Sequence, residues 1–344
     1  MRPSLSVLIV TWNSRAELAR TLPAVLPELG EGDELIVVDN QSDDGSAAAA
    51  RKLAPAARVI ESGGNLGFAA GCNLGAEAAS GDLLVVLNPD AAPLPGFGEA
   101  IRRPWLEGRG WAAWQALVAM AGGTEVNSAG NPIHFTGIVW AGGHGQPLPP
   151  PPPAGEVAAL SGACLAVPLD AWRRLGGFPE RYFLYHEDVD LSVRLRLQGG
   201  TLGIEPTAVV DHDYEFGVNE GKWRWLERNR LAFLVRTYPA ALLALLAPAL
   251  LVTELALLAA AARGGWLRAK LSANLDFLRW LPRLLGERRQ IQSHRKITAT
   301  EFATHLTPDL DSPFIPPVAR SAPARTLLQL YWKAVRAALK VLPR

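Results

Sequence analysis

Residues 65–91 read NLGFAAGCNLGAEAASGDLLVVLNPDA, and the parsing of this stretch decides the architecture. Positions 68–80 have the length and composition of a helix, and DLLVVLN (82–88) is an apolar strand that ends on Asn88-Pro89-Asp90. A strand without polar alternation is one buried on both faces. The same alternation holds upstream, where LSVLIVT (5–11), ELIVVDN (34–40) and ARVIES (57–62) read as strands, and 14–29 and 44–54 as helices. Apolar strands separated by helices predict an α/β fold, with a mostly parallel central sheet covered on both faces. Ligands of such sheets bind beyond the carboxyl ends of the strands. Here each strand ends in polar residues: Thr11-Trp12-Asn13, Asp39-Asn40, Glu61-Ser62 with Asn65, and Asn88-Pro89-Asp90. Four such endings are expected to converge on one rim.

The chain has 344 residues, room for one large domain or two of ordinary size, and 49% of them are apolar, enough for a large core. Cys72 and Cys164 form no Cys-x-x-Cys pair, which argues against a disulfide framework and a structural zinc and fits a reducing compartment. The opening MRPSLSVLIVTWNS has too short an apolar run for a signal peptide and is expected to be a buried strand. The net charge of +1 hides an asymmetry. Residues 1–262 hold 19 Lys/Arg against 28 Asp/Glu, whereas 263–344 hold 15 against 5. An acidic body with a basic tail predicts a tail that faces an anionic surface.

Downstream, 104–160 is rich in Gly and Trp and includes PLPPPPPAGE (147–156), read as a surface spacer. ALSGACLAVPL is expected to be a strand, DAWRRLGGF a short helix, 188–197 a helix, and TLGIEPTAVVDH (201–212) to include another strand. Residues 240–262 carry Glu254 as their only charge and are long enough to cross a bilayer. A single crossing would, however, send the basic tail outward, against the positive-inside tendency. Two later segments are amphipathic. Leu267, Leu271, Leu275, Leu278 and Leu281 repeat at helical spacing; Leu328, Trp332, Val335, Leu339 and Leu342 line one face, while Lys333, Arg336 and Lys340 share another. Basic faces opposite Leu/Trp faces suit the plane of an anionic membrane, and the ordinary alternative is packing on the domain or at a dimer interface. The expected division is 1–237 as a catalytic domain and 238–344 as a helical region, apolar and then basic.

No Gly-x-Gly-x-x-Gly follows the first strand, the first glycine is Gly30, and there is no Walker A sequence. A phosphorylated ligand would therefore need another means of holding its charge. Asp90 at a strand end offers a hard oxygen ligand for Mg2+ or Mn2+, and His212 at the end of TAVVDH offers a nitrogen. Singly, each has a plain explanation, since Asn-Pro-Asp is a common turn and a strand-end His is usually structural. Asp39 at its strand end can accept the ring N–H of uracil, thymine or guanine, although an Asp opening the turn DNQSDDGS needs no function. Finally, FLYHEDVDLSVRLRLQGG (183–200) crowds Glu187, Asp188 and Asp190 behind the aromatic run Tyr182-Phe183-Leu184-Tyr185. Carboxylates beside apolar rings lose hydration and repel one another. Capping of a helix by EDVD is the structural explanation.

Taken together, VLIVTWNS, IVVDNQSDDGS, residues 65–91, GGFPERYFLYHEDVDLSVRLRLQGG, Asp211-His212 and WLERNRLAFLVRTYP resemble family 2 glycosyltransferases of the GT-A fold, rhamnosyltransferase-like members above all, over roughly residues 4–237. The resemblance implies a GT-A (nucleotide-diphospho-sugar transferase) domain, a C-terminal membrane-associating helical region, and metal-dependent, inverting transfer of a sugar from a nucleotide diphosphate donor. By position it places Thr11, Asn13, Asp39, Asn65 and Asn88 at the donor, with Arg228 of the Arg228-Asn229 pair near the diphosphate. Asp90 stands at the family's Asp-x-Asp and His212 is the further metal ligand; Asn88 replaces the first Asp of that motif, and Pro179 an Asp of the usual Gly-Gly-Phe-Asp-Glu. Asp188 is the expected general base, Glu187 the second choice, and Asp190 an ion-pair partner of Arg194 on the helix face. The reaction expected is rhamnosyl transfer from dTDP-rhamnose, or transfer from a UDP-sugar, to a lipid-linked or surface-glycan acceptor. The chain is expected to sit peripherally on the cytoplasmic face of the membrane, without nucleic acid, with a homo-oligomer left open. One alternative is a sugar nucleotidyltransferase, which favours a Gly-rich basic loop that TWNSRAEL lacks. The other is a non-catalytic glycan- or nucleotide-binding subunit, against which stands the set Asp39, Asp90, Asp188 and His212.

Overall fold

The apolar runs at the start of the chain form adjacent strands. A computed structural model describes residues 2–148, 150–213, 220–312 and 320–341, so Pro149 of the proline run and Leu342 of the last helical stripe lie outside the described residues. The elements begin with β1 (Leu5–Thr11), α1 (Arg15–Val25), β2 (Glu34–Asp39), α2 (Ser46–Leu53), β3 (Arg58–Glu61), α3 (Gly67–Ala78) and β4 (Leu83–Leu87). Next come β5 (Ala91–Pro93), α4 (Phe97–Leu106), β6 (Trp111–Met120), β7 (Val126–Ser128), β8 (Ile133–His134), β9 (Gly155–Glu156) and β10 (Cys164–Pro168). Then follow α5 (Leu169–Leu175), α6 (Glu187–Leu197) and β11 (Thr201–His212). The chain continues through α7 (Glu220–Thr237), α8 (Ala240–Arg263), α9 (Leu267–Ser293), α10 (Ala299–Ala303), β12 (Leu306–Thr307) and α11 (Ala322–Val341). Two compact units result: Met1–Asn131, Ala141–Leu195 and Gly200–Glu215 make one, and Pro132–Trp140, Arg196–Gly199 and Phe216–Arg344 the other.

In the first unit the sheet order is β3-β2-β1-β4-β10-β6-β11-β5, with β7 on β6 and β9 on β11. β1 to β4 are mutually parallel, as are β6 and β11. β10 runs antiparallel between β4 and β6, so the sheet is mixed. Register aligns the strand ends: Thr11 lies opposite Asp39, Asp39 opposite Glu61, and Ile9 opposite Leu87. At the far edge β5 pairs antiparallel with β11, which sets Ala91 opposite His212. β6, ten residues in the middle of this sheet, falls in the stretch left unassigned by sequence; its run WAAWQALVAM is too rich in Ala to announce a strand.

Side-chain alternation sends each strand to two cores. Val7, Ile9, Val37 and Val85 pack with Leu18 and Leu22 of α1 and Ile101 of α4. Leu8, Val10, Val38 and Val86 pack with Cys72 and Ala76 of α3 and Leu191 of α6 on the other face. Each such aliphatic side chain contributes about 1.5–3 kcal/mol on full burial, which is why an uninterrupted apolar strand fixes a two-sided sheet. α3 lies so close that a Cβ at Gly75 would stand 2.2 Å from Leu8 Cδ1.

Among the described residues, the second unit is helical apart from the short pair β8–β12. Its α7, α8 and α9 are joined by buried charge. Lys270 Nζ lies 2.5 Å from Glu227 Oε2 and 2.7 Å from Glu254 Oε2, while Arg230 reaches Glu227 at 3.0 Å and also bonds Glu254. Burial alone would raise the Glu227 carboxyl, but Arg230 and Lys270 overcome it and hold it down at about 2. The two amphipathic stripes fare differently. Trp332, Val335 and Leu339 of α11 are buried, with Trp332 stacked on Phe135 at 5.2 Å between ring centroids, so this face is taken up by packing within the unit. Leu271, Leu275 and Leu278 of α9 remain exposed.

Candidate active site

The carboxyl ends of β1 and β2 present two buried polar side chains side by side. Thr11 Oγ1 and Asp39 Oδ1 are shielded from solvent and take no hydrogen bond from the described residues. Buried polar atoms are ordinarily satisfied, so such a pair marks a place where a ligand completes the bonding. The other Asp39 oxygen, Oδ2, accepts from Ser42 N–H at 3.0 Å. Asn40 ties β2 to the start of α3, its Nδ2 donating to Gly67 O at 3.0 Å. The two strand-end loops also lace together. Asn13 N–H donates to Ser42 Oγ at 2.9 Å, and Asp43 N–H to Asn13 Oδ1 at 2.9 Å. Asn65, at the surface, accepts the Gly67 N–H at 3.0 Å, which places it beside the opening of α3.

Further along the rim, Asn88 N–H donates to Ala163 O at 2.9 Å. One residue away, Gly162 N–H donates to Asp188 Oδ2 at 2.8 Å, and Val189 N–H to Asp188 Oδ1 at 2.8 Å. The β4 end and the start of α6 thus share the loop before β10. Burial pushes the Asp188 carboxyl up against the lowering effect of these two N–H groups. Burial drives Glu187 well above the ordinary carboxylate range, and the neighbouring Asp188 charge adds to it. No described cation pairs with either, and Glu187 Oε2 is buried without a hydrogen bond. Asp190 is treated differently: Arg194 Nε lies 2.6 Å from its Oδ1, the expected ion pair, and Tyr182 Oη donates to its Oδ2 at 3.2 Å.

Asp90 and His212 meet through the β5–β11 pairing, with Asp90 Oδ1 3.2 Å from His212 Nε2. That oxygen is buried and takes no hydrogen bond from the described residues. A carboxylate oxygen and an imidazole nitrogen converging on one point fit Mg2+ or Mn2+, with remaining positions open to phosphate oxygens and water. No group of three or more His, Cys, Asp or Glu stands ready to hold a metal among the described residues, so the protein would contribute this pair. Arg20, on α1, donates to Asp90 O and lies 3.8 Å from Asp211. Neither Arg20 nor the Gly162 N–H was singled out from sequence: an arginine in a surface helix and a loop glycine give no signal until the chain folds. Arg228 belongs to the second unit, where its guanidinium lies 4.3 Å over the Trp280 ring and its Nε donates to Asn229 Oδ1 at 3.0 Å.

Backbone strain collects in the same loops. The positive-φ residues other than glycine are Asn13, Gln41, Phe183, Tyr185 and His186 among the described residues. All follow β1 or β2 or precede Glu187. Each such conformation costs of order 1 kcal/mol or more and persists only where the surroundings enforce it. At one of these contacts Gly67, φ +81°, has space for no side chain: a Cβ would stand 2.4 Å from Phe183 Cδ2.

Residues 6–128 match the profile of Glycosyl transferase family 2. An N-acetylglucosaminyl-diphospho-decaprenol L-rhamnosyltransferase of Mycobacterium tuberculosis (strain ATCC 25618 / H37Rv) is 30% identical over 238 residues, covering 62% of this chain and 76% of that protein. The chain belongs to glycosyl transferase family 2. It is a glycosyltransferase, and the nucleotidyltransferase and non-catalytic alternatives fall away. Its fold is GT-A. The crystal structure of GalNAc-T7 with UDP, GalNAc and Mn2+ superposes with a TM-score of 0.58 at 16% identity, over 86% of this chain and 58% of that one. S. aureus TarS in complex with UDP does so with a TM-score of 0.50 at 12% identity, over 98% of this chain and 90% of that one. In this family 2 glycosyltransferase the rim lies where an open α/β sheet binds ligands, beyond the carboxyl ends of β1, β2 and β4.

Proposed function

We propose that this glycosyltransferase moves a rhamnosyl unit from dTDP-rhamnose to a polyprenyl-linked acceptor, with inversion and with Asp188 as general base. The mycobacterial relative, named for rhamnosyl transfer to a decaprenol-linked sugar, supports the sugar and the acceptor class. The observation that carries the mechanism is the uncompensated carboxylate at the head of α6: Asp188, half-buried beside the buried Glu187, is anchored by Gly162 N–H and paired with no described cation. An acceptor hydroxyl must lose its proton as it attacks the anomeric carbon, and a base whose pKa is raised toward neutrality takes that proton more readily. Glu187, raised further, is the second candidate.

Asp39 Oδ1 accepts the ring N–H of thymine or uracil, with Thr11, Asn13, Asn65 and Asn88 around the nucleotide. Asp90 and His212 would hold Mg2+ or Mn2+. When bound, the ion supplies positive charge against the leaving diphosphate. The catalytic domain is 1–237, and the helical remainder attaches the enzyme to the cytoplasmic face of the membrane. A donor panel (dTDP-rhamnose, UDP-N-acetylglucosamine, UDP-galactose and GDP-mannose) with a synthetic N-acetylglucosaminyl-diphospho-polyprenol tests this. Rhamnosylated product from dTDP-rhamnose alone is expected, reduced by chelation and restored by Mn2+. Product formed from another donor and not from dTDP-rhamnose overturns the donor, and undiminished transfer after chelation overturns the metal.

A further inference from the structure

α8 is long and apolar enough to cross a membrane, yet only 11% of its most apolar stretch is buried inside the protein. Its outward face runs through Ala244, Ala247, Leu251, Val252, Leu255 and Ala259, all exposed and none polar. Leu251, Val252 and Leu255 are 62%, 66% and 58% exposed. A helix face turned to water ordinarily carries polar and charged side chains. What covers this one is indicated by its inner face. Glu254 is the only charge between Ala240 and Ala262, and it is bound to both Lys270 and Arg230. Those two cations also hold Glu227, and Arg230 donates further to Thr136 O at 3.1 Å. A transmembrane α8 would have to part Glu254 from both cations and carry it into hydrocarbon, where an isolated charge is strongly disfavoured.

α9 points the same way. Its exposed Leu271, Leu275 and Leu278 run beside Arg279 and Arg283, whose side chains are 67% and 62% exposed. Aliphatic rows interleaved with arginine suit the boundary between acyl chains and anionic headgroups. A second copy of this chain is a poorer occupant: residues 263–344 carry 15 basic against 5 acidic groups, so two such surfaces would repel.

We propose that α8 is an in-plane membrane helix, its charge-free outer face seated at the headgroup–acyl boundary of an anionic bilayer and its inner face held to α7 and α9 through Glu254. The proposal deepens the membrane-attachment part of the function above and rests on it. The 344-residue chain is tested by flotation with phosphatidylcholine vesicles containing about 30% phosphatidylglycerol. The wild type is expected to float, and Leu251→Asp with Leu255→Asp to lower the bound fraction about tenfold or more, as exposed positions that leave folding unchanged by circular dichroism. Equal flotation of wild type and variant overturns the in-plane helix while leaving membrane attachment standing; a wild type that does not float overturns both. Topology is read separately with Ala240→Cys and Ala262→Cys in a bacterial host, where the native Cys72 and Cys164 are buried and silent. Both new thiols are expected to react with an impermeant maleimide in inside-out vesicles and neither in spheroplasts. Reaction of the two ends from opposite sides overturns the proposal in favour of a span.

Discussion

Glu187 and Glu227 are both buried glutamates, one in each unit, and their surroundings drive them in opposite directions. Glu227 is met by Arg230 and Lys270, which hold its carboxyl down at about 2; Glu187 meets the negative Asp188 and is driven well up. The helices of the second unit bury charge in balanced sets, and there the charge is structural. Among the described residues, the carboxylates at the rim of the sheet are left unbalanced, the backbone is strained in five non-glycine residues, and Thr11 and Asp39 keep oxygens without partners. Uncompensated burial and strain destabilise a fold, and they persist together where a ligand or a reaction needs them.

Several substitutions probe that contrast. The largest effect is expected from Asp188→Asn, which removes the base: turnover falls about 10²–10⁴-fold while the donor dissociation constant, read by calorimetry, stays unchanged. Retained turnover would move the base elsewhere, Glu187 first. Glu227→Gln leaves two buried cations facing Glu254 alone and is expected to cost about 3–5 kcal/mol in urea unfolding. Its pH dependence has a definite sign. The folded carboxyl lies below its ordinary 4.5, so its stabilisation is complete above that value and is lost as pH falls toward about 2. The variant should lack that acid-side loss. Asp39→Asn is expected to weaken donor binding by about 1.5–3 kcal/mol, the worth of a hydrogen bond to a charged group, with the fold intact. The smallest change carries the comparison most directly. Glu187→Gln relieves charge repulsion and should raise stability by about 0.5–2 kcal/mol at neutral pH, opposite in sign to the same substitution at Glu227. A loss of stability at both positions would erase the distinction between the two units.

Much of the rim could be read from the chain before folding. Thr11, Asp39 and Asp90 each stand where an apolar run stops, and an apolar run long enough to be a buried strand tells its own end. Asp190 and Arg194 are one helical turn apart, so their ion pair follows from spacing. Other features left no local trace. β10, reversed between β4 and β6, is what brings Gly162 and its N–H to Asp188, and nothing in SGAC states a strand's direction. The antiparallel pairing of β5 with β11 is what sets His212 3.2 Å from Asp90, although the two are distant in sequence. The two amphipathic stripes look alike as patterns, yet α11 buries Trp332 within its unit while α9 leaves Leu271 exposed.

By itself the sequence determined the strands and helices of residues 5–88, though not β6 to β9, that the sheet is covered on both faces, and which polar residues terminate its first strands. These follow from periodicity and apolar content, which act within a few residues of chain. Only the tertiary structure decided which buried charges are neutralised and which are left bare. Pairing and desolvation depend on distances between segments far apart in the chain, and those distances exist only once the sheet has closed around them.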